Sequence, residues 1–251
     1  MLGLAHGLRH GALLRVRPLA LLAASCAGLL MASGAAAAER TYIVTDYDSV
    51  RLEAPVDVSV QTGRGVSARG EGDRDMLDRL ELSVSARVLT IRLKASPFSG
   101  GRRSGAGTPR LVLTVPALRR ISVSGAGTVQ ATGMDRAGGE IVAAGSGAVA
   151  VTGIASDRLS VTQFGSGSVS LAGRAQTVVL RVTGSGTLDA QALEAADLDL
   201  TLEGGANVEA SASRAATLVA VGAGNATVTG RAACTVRHVG SGLVRCGGAS
   251  Y

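Results

Sequence analysis

The sequence has no tryptophan, and only three tyrosines and two phenylalanines among 251 residues. So few rings argue against an ordinary enzyme core and against a lectin-like face that stacks on sugars. Histidine is nearly as scarce, and beyond the first 38 residues only His238 remains. A Ser-His-Asp triad would have to recruit that one histidine, and no strand-turn-helix elbow marks a nucleophile. His-Glu-x-x-His spacing is absent. No cofactor, metal or catalytic residue is therefore expected. After the N-terminal segment no stretch is apolar enough to cross a bilayer, so no membrane-spanning helix is expected in the mature chain.

A concentrated basic run is also missing. The formal charge is +6, and three of the positive residues, Arg9, Arg15 and Arg17, lie in the first 38 residues, which hold no acid. Subtracting those three from 25 basic residues leaves 22 against 19 acidic ones, a net charge of +3. Most of these arginines stand singly along the chain. Nucleic-acid binding usually needs a basic stripe, so no nucleic-acid partner is expected and the charges read as a solvated surface.

What the chain has in abundance is glycine, 35 of 251 residues, within a composition that is 46% apolar. That apolar share is too high for a disordered chain. Glycine, alanine, valine, serine and threonine with few rings suit thin, tightly stacked β layers.

The N-terminus reads as an export signal. Arg9, Arg15 and Arg17 precede the apolar stretch Leu19–Met31, and Ala35-Ala36-Ala37-Ala38 then precedes Glu39. This order predicts a signal peptide over 1–38 with cleavage after Ala38. The apolar run is short for a transmembrane helix. Lipidation at Cys26, which follows Ala23-Ala24-Ser25, and an uncleaved anchor remain open alternatives.

Internal repeats dominate the rest. Gly125-Ala-Gly127, Gly145-Ser-Gly147, Gly165-Ser-Gly167 and Gly184-Ser-Gly186 are followed by a degenerate copy, Gly204-Gly-Ala206. Gly222-Ala-Gly224 and Gly240-Ser-Gly242 complete the series. The first glycines are 20, 20, 19, 20, 18 and 18 residues apart. The flanks keep register. Ile121, Ile141, Val161, Leu180, Leu200, Leu218 and Val236 each stand four before a first glycine. Ala131, Val151, Leu171, Ala190, Ala210, Val228 and Cys246 each stand six after one. Each repeat thus holds two short segments of strand period, broken by glycines that supply positive φ or close backbone approach.

Twenty residues cannot bury a two-faced core alone, but stacked copies can. The prediction is an all-β, right-handed parallel β-solenoid with rungs of about 20 residues, the hand following from tandem parallel crossovers. Residues 121–251 form its regular part. Residues 39–120 read as strand-rich but irregular first rungs that cap it, with no linker between the two. Within them Val50–Leu52, Val56–Val60, Leu80–Leu93 and Leu111–Val115 read as strands, and Asp73–Arg79 as a short helix. The segment Ser96–Thr108 reads as a basic, glycine-rich loop carrying Arg102 and Arg103.

At these residues the chain resembles a bacterial family, the auto-transporter adhesin head or GIN domain. The likeness covers about residues 45–248. It rests on Val56-Asp-Val58-Ser-Val60, on Leu89-Thr-Ile91-Arg-Leu93-Lys94, and on Leu113-Thr-Val115-Pro116-Ala-Leu118 leading into Ile121-Ser-Val123-Ser-Gly125. The resemblance implies an exported β-solenoid of adhesin type and brings no catalytic residues with it.

Three further features invite a role. Cys234 and Cys246 fall in inward columns, six before and six after Gly240, so a disulfide could close the last turn; two free buried thiols are the alternative. The turns lack the aspartate of calcium-binding repeats and lead into strands rather than helices, so they bind neither calcium nor phosphate. Asp189, Asp197, Asp199, Glu203 and Glu209 form the one acidic cluster. A paired-carboxylate glycosidase site there competes with a plain solvated face. The expectation is a non-enzymatic envelope protein, an adhesin-like module binding an unknown surface protein or glycan. A periplasmic scaffold, or less readily a polysaccharide-active enzyme, is the alternative. The turn residues Ala126, Ser146, Ser166, Ser185, Gly205, Ala223 and Ser241 form a polar edge for contact.

Overall fold

The computed structural model describes residues 38–95 and 108–251. The signal segment over 1–37 and the loop arginines Arg102 and Arg103 lie outside the described residues.

The described chain is a β-solenoid of about six turns. Its first elements are β1 (Ala38–Tyr42), β2 (Ser49–Leu52), β3 (Asp57–Thr62), β4 (Ser67–Gly72), α1 (Arg74–Arg79), β5 (Leu80–Ser85), β6 (Val88–Leu93) and β7 (Arg110–Val115). The repeats supply β8 (Arg120–Gly125), β9 (Thr128–Thr132), β10 (Gly139–Gly145), β11 (Ala148–Gly165), β12 (Ser168–Gly184), β13 (Thr187–Gly204) and β14 (Asn207–Gly222). The chain closes with β15 (Asn225–Thr229), β16 (Ala233–Gly240), β17 (Val244–Cys246) and β18 (Ala249–Ser250).

Two walls face each other across a dry core. In the repeats the first wall holds the segments that lead into the Gly-x-Gly turns, and the second holds those that leave them. Stacking is in register one repeat apart: Ile141 lies against Ile121 and Val161, and Val149 against Val129 and Val169. Identical positions therefore form columns. Ile121, Ile141, Val161, Leu180, Leu200 and Leu218 are all buried, as are Ala131, Val151, Leu171, Ala190, Ala210 and Val228. Burying such columns is the main favourable contribution to folding, about 25 cal/mol per Å² of apolar surface.

One feature of the repeats differs from the expectation. From β11 to β14 the segment leaving one turn and the segment entering the next are a single long strand. The corner between them is marked by register shifts, as between Val151 and Ile154. The ladder of backbone hydrogen bonds runs on through the corner because the residues above and below bend in the same way. Only where the corner carries extra residues, at Gly133–Gly138, do separate strands β9 and β10 result.

The first rungs are irregular in a specific way: they stack out of chain order. β2 lies between β6 and β8, with Val50 against both Leu89 and Ile121. β3 lies between β7 and β9, with Val58 against both Leu111 and Val129. The chain lays down its second layer first, climbs to build the layer above, then crosses back to continue below.

Antiparallel strands close this end. β5 folds back on β6 through Ala86 and Arg87, both at positive φ, a two-residue hairpin. β4 runs antiparallel to β7, and β1 to β4. Between β4 and β5, α1 begins at its N-cap Asp73, whose carboxylate accepts from the Met76 amide. Its buried Leu77 packs so closely on Gly70 that a Cβ there would lie 2.8 Å from Leu77 Cδ2.

Candidate binding surfaces

The turn glycines divide into two jobs. Gly165 stands at φ +102, a region that disfavours any other residue. Gly167 is a matter of space, since a Cβ there would sit 2.4 Å from the carbonyl oxygen of Gly147. The other first and second glycines of the ladder repeat this division. The turn amides are already used. Ser166 and Gly167 donate to the Gly145 carbonyl at 3.1 and 2.9 Å, and Ser146 and Gly147 donate likewise to Gly125. These amides hold the turn below and are not a cradle for an anion.

The inward column two before each first glycine contains one polar surprise. Gln163 is buried, and its Nε2 donates to the Gly167 carbonyl at 2.6 Å, bracing the turn from within. Gly186 in the next rung makes room for it: a Cβ there would come 2.3 Å from that Nε2. The register alone placed Gln163 in this column but gave no hint of the brace. His238 occupies the same column in the last rung, half-buried, with Nε2 buried and unpartnered.

Cys234 and Cys246 are joined by a disulfide, their Cα atoms 6.1 Å apart, linking β16 to β17 across the end of the core. Cys246 is buried and Cys234 half-buried.

The acidic cluster comes apart in three dimensions. Asp189 and Glu209 stand on the second wall in adjacent rungs, where Gln191 donates to Glu209. Asp199 and Glu203 stand on the outside of the first wall. Asp197 sits at the corner, held by Arg214, whose hydrogen bonds keep its carboxyl below the usual range. The arrangement pairs carboxylates with arginine rather than with each other. Among the described residues no group of three or more His, Cys, Asp or Glu is placed to hold a metal ion.

The arginines do the reverse: single in sequence, they gather in space. A period near 20 carries Arg119, Arg136, Arg158, Arg174, Arg214 and Arg231 to successive rungs of the same corner. Four cross-rung ion pairs form there, Arg119 with Asp135, Arg120 with Glu140, Arg174 with Glu194, and Arg214 with Asp197. Such exposed pairs add little stability each, but they neutralise much of the column. Between them a shallow groove of about 330 Å³ is lined by Arg136, Asp157, Arg174, Gln176, Glu194 and Ser213.

The second wall is different. Thr128, Gln130, Ala148, Ala150, Ser168 and Ser170 project outward from three successive rungs, with no charge among them. Stacked parallel strands hold these short side chains on a regular lattice, about 4.8 Å between rungs. Beside this wall runs the turn edge of Ser146, Ser166 and Ser185, all exposed.

Known proteins of the same shape exist. A putative adhesin of Bacteroides fragilis superposes with TM-score 0.76 at 20% identity, covering 84% of this chain and 96% of its own. A protein of Parabacteroides distasonis described as a putative lipid binding protein gives 0.64 at 19% identity, with coverages of 85% and 97%. A putative adhesin of the same organism gives 0.58 at 18%, with coverages of 83% and 96%. At these identities the likeness establishes the fold. No curated protein matches the sequence. The profile of one family matches residues 46–232, so the chain belongs to the family described as "Putative auto-transporter adhesin, head GIN domain".

Proposed function

We propose that the chain is an exported, non-catalytic binding module of the cell envelope, adhesin-like, whose contact surface is the uncharged second wall. The observation that carries the reading is the lattice of Thr128, Gln130, Ala148, Ser168 and Ser170, flat, polar and free of charge, beside a corner whose charges are mostly paired. Small hydroxyl and amide groups at a fixed spacing suit many weak hydrogen bonds to an extended surface, not the enclosure of a small molecule. The partner is a surface protein or a glycan of the envelope. The coil is right-handed, as tandem parallel crossovers require.

Export rests on the signal over 1–38 with cleavage after Ala38, the residue at which β1 begins. N-terminal sequencing of the exported protein is expected to read from Glu39; a start at Cys26 would mean a lipoprotein. A lipid, the ligand class in the name of one neighbour, would have to bind outside, because the inward columns fill the core.

The test is binding of the mature chain to arrays of envelope glycans and to envelope proteins. Ser168→Arg with Ser170→Arg places two bulky charges on the wall without touching the core, and should abolish the interaction. Retained binding by this variant would move the site elsewhere. Turnover of a polysaccharide by the wild-type chain would overturn the non-catalytic reading.

A further inference from the structure

The last rung carries an open β edge. Three of the four wall ends finish in an antiparallel strand: β5 on β6, β4 on β7, and β18 on β17. The fourth does not. β16 pairs with β14 and, among the described strands, with nothing on its other side. In the last turn Ser241 donates down to Gly222, and in the second repeat Glu140 and Ser146, six residues apart, both donate down to the rung below. The same alternation turns the amides of Val236 and His238 toward the free side.

The surroundings of this edge are unusual for the molecule. Of the six exposed large apolar residues, Val221, Val239, Leu243 and Tyr251 lie in the last two rungs, and Val239 is 68% exposed. The end of the core is only half covered at Cys234, Val236 and His238, and His238 Nε2 is buried without a partner. The charge is one-sided. After Glu209 the sequence contains no acid but four arginines, Arg214, Arg231, Arg237 and Arg245. Exposed edges are usually blunted against pairing; here only Arg237, near the middle of β16, discourages a like strand while favouring an acidic one.

We propose that β16 is a docking edge for an extended acidic segment of another polypeptide, which adds antiparallel to it and completes the open wall beside β18. Strand addition supplies affinity through backbone hydrogen bonds and specificity through alternate side chains. The inward-facing residues of the added strand cover Val236 and the half-buried His238, so they are apolar. The outward-facing residues meet Arg237 and Thr235, so the one opposite Arg237 is Asp or Glu. The partner chemistry is thus a strand in which apolar residues alternate with acids. A second copy of this chain fits less well, because a second β16 would set Arg237 near another Arg237. This inference stands apart from the second-wall reading, since the edge belongs to the first wall and to the last rung, beyond the residues of the family match.

The probe is an eight-residue acetylated and amidated peptide alternating valine with glutamate and threonine, labelled for fluorescence anisotropy. Controls replace glutamate by lysine, or methylate every second backbone nitrogen. The purified protein is expected to bind the acidic probe saturably and each control at least tenfold more weakly. Hydrogen exchange at Val236 and His238 should slow at least tenfold when the probe is bound. Arg237→Glu should reverse the preference toward the lysine peptide, and Arg237→Ser should lessen it if the first variant does not fold. Absence of saturable binding, or equal binding of the methylated peptide, would overturn the proposal. So would a dimer that already protects these amides without peptide, or binding only to anionic phosphatidylglycerol vesicles.

Discussion

The two ends of the solenoid are finished by different means. At the N-terminal end both walls close with antiparallel strands, and α1 lays Leu77 against the core between them. At the C-terminal end one wall has the two-residue strand β18, a disulfide ties the walls together, and the other wall stays open at β16. A repeat cannot cap itself, because every rung offers the same edge it uses. The chain solves this at the start by leaving the repeat pattern for nearly 80 residues. At the finish it has about twenty residues after the last full strand and substitutes a covalent link.

Substitutions that act on one region and spare the other sharpen the contrast. The largest effect belongs to the regular rungs. Gly147→Phe places a ring where even a Cβ would lie 2.4 Å from the Gly127 carbonyl. The loss should be about 3 kcal/mol or more, visible as a lower denaturant midpoint, with the neighbouring rungs failing together. Gly65, with nothing within 4 Å of a Cβ, should accept alanine with little change.

Leu77→Ala acts on the cap. Removing the buried side chain should cost about 2–3 kcal/mol. Hydrogen exchange should quicken first in β1, β4 and β5, while β12 and β13 keep their protection. Uniform loss across all rungs would show that cap and repeats are one cooperative unit.

At the other end, replacing Cys234 and Cys246 together by serine opens a link with a sequence separation of 12. The expected cost is about 2 kcal/mol. Faster exchange should be confined to β15–β18.

The smallest effect is a pH dependence in the cap. Burial pushes the Tyr47 phenol up to about 12 from its ordinary 10.0, and its hydroxyl donates to the Thr114 carbonyl. The neutral form is favoured in the folded state, so its contribution is whole below pH 10 and is lost as pH rises toward about 12. Tyr47→Phe should cost about 1 kcal/mol at neutral pH and should flatten the alkaline fall in Tm.

How much of this was legible in the sequence follows from periodicity. The columns through Ile141 and Val151, the turn glycines and the pairing of Cys234 with Cys246 all come from residues that recur at one spacing. The strands of the cap were legible too, as alternation at Val56–Val60 and Leu89–Leu93. Their order was not. Val50 shares its alternation equally with Leu89 and Ile121, and nothing local says that it lies between them. The arginine corner was missed for the opposite reason. Arg136, Arg158 and Arg174 look solitary in sequence, and only a period applied to charge, as it was to glycine and valine, would have aligned them. The open edge of β16 left no sequence signal except the absence of acids after Glu209.

The out-of-order stacking of the cap against the in-order stacking of the repeats is the central claim, and cross-linking tests it most directly. Ser59 on β3 lies against Val112 on β7 and against Gln130 on β9. Paired cysteines at Ser59 and Gln130, or at Ser59 and Val112, should each oxidise to a bridge within one chain. Cysteines at Val112 and Gln130 should not, since two strand spacings, about 9.6 Å, exceed the reach of a disulfide. A bridge between Val112 and Gln130, with Ser59 joining neither, would contradict the account.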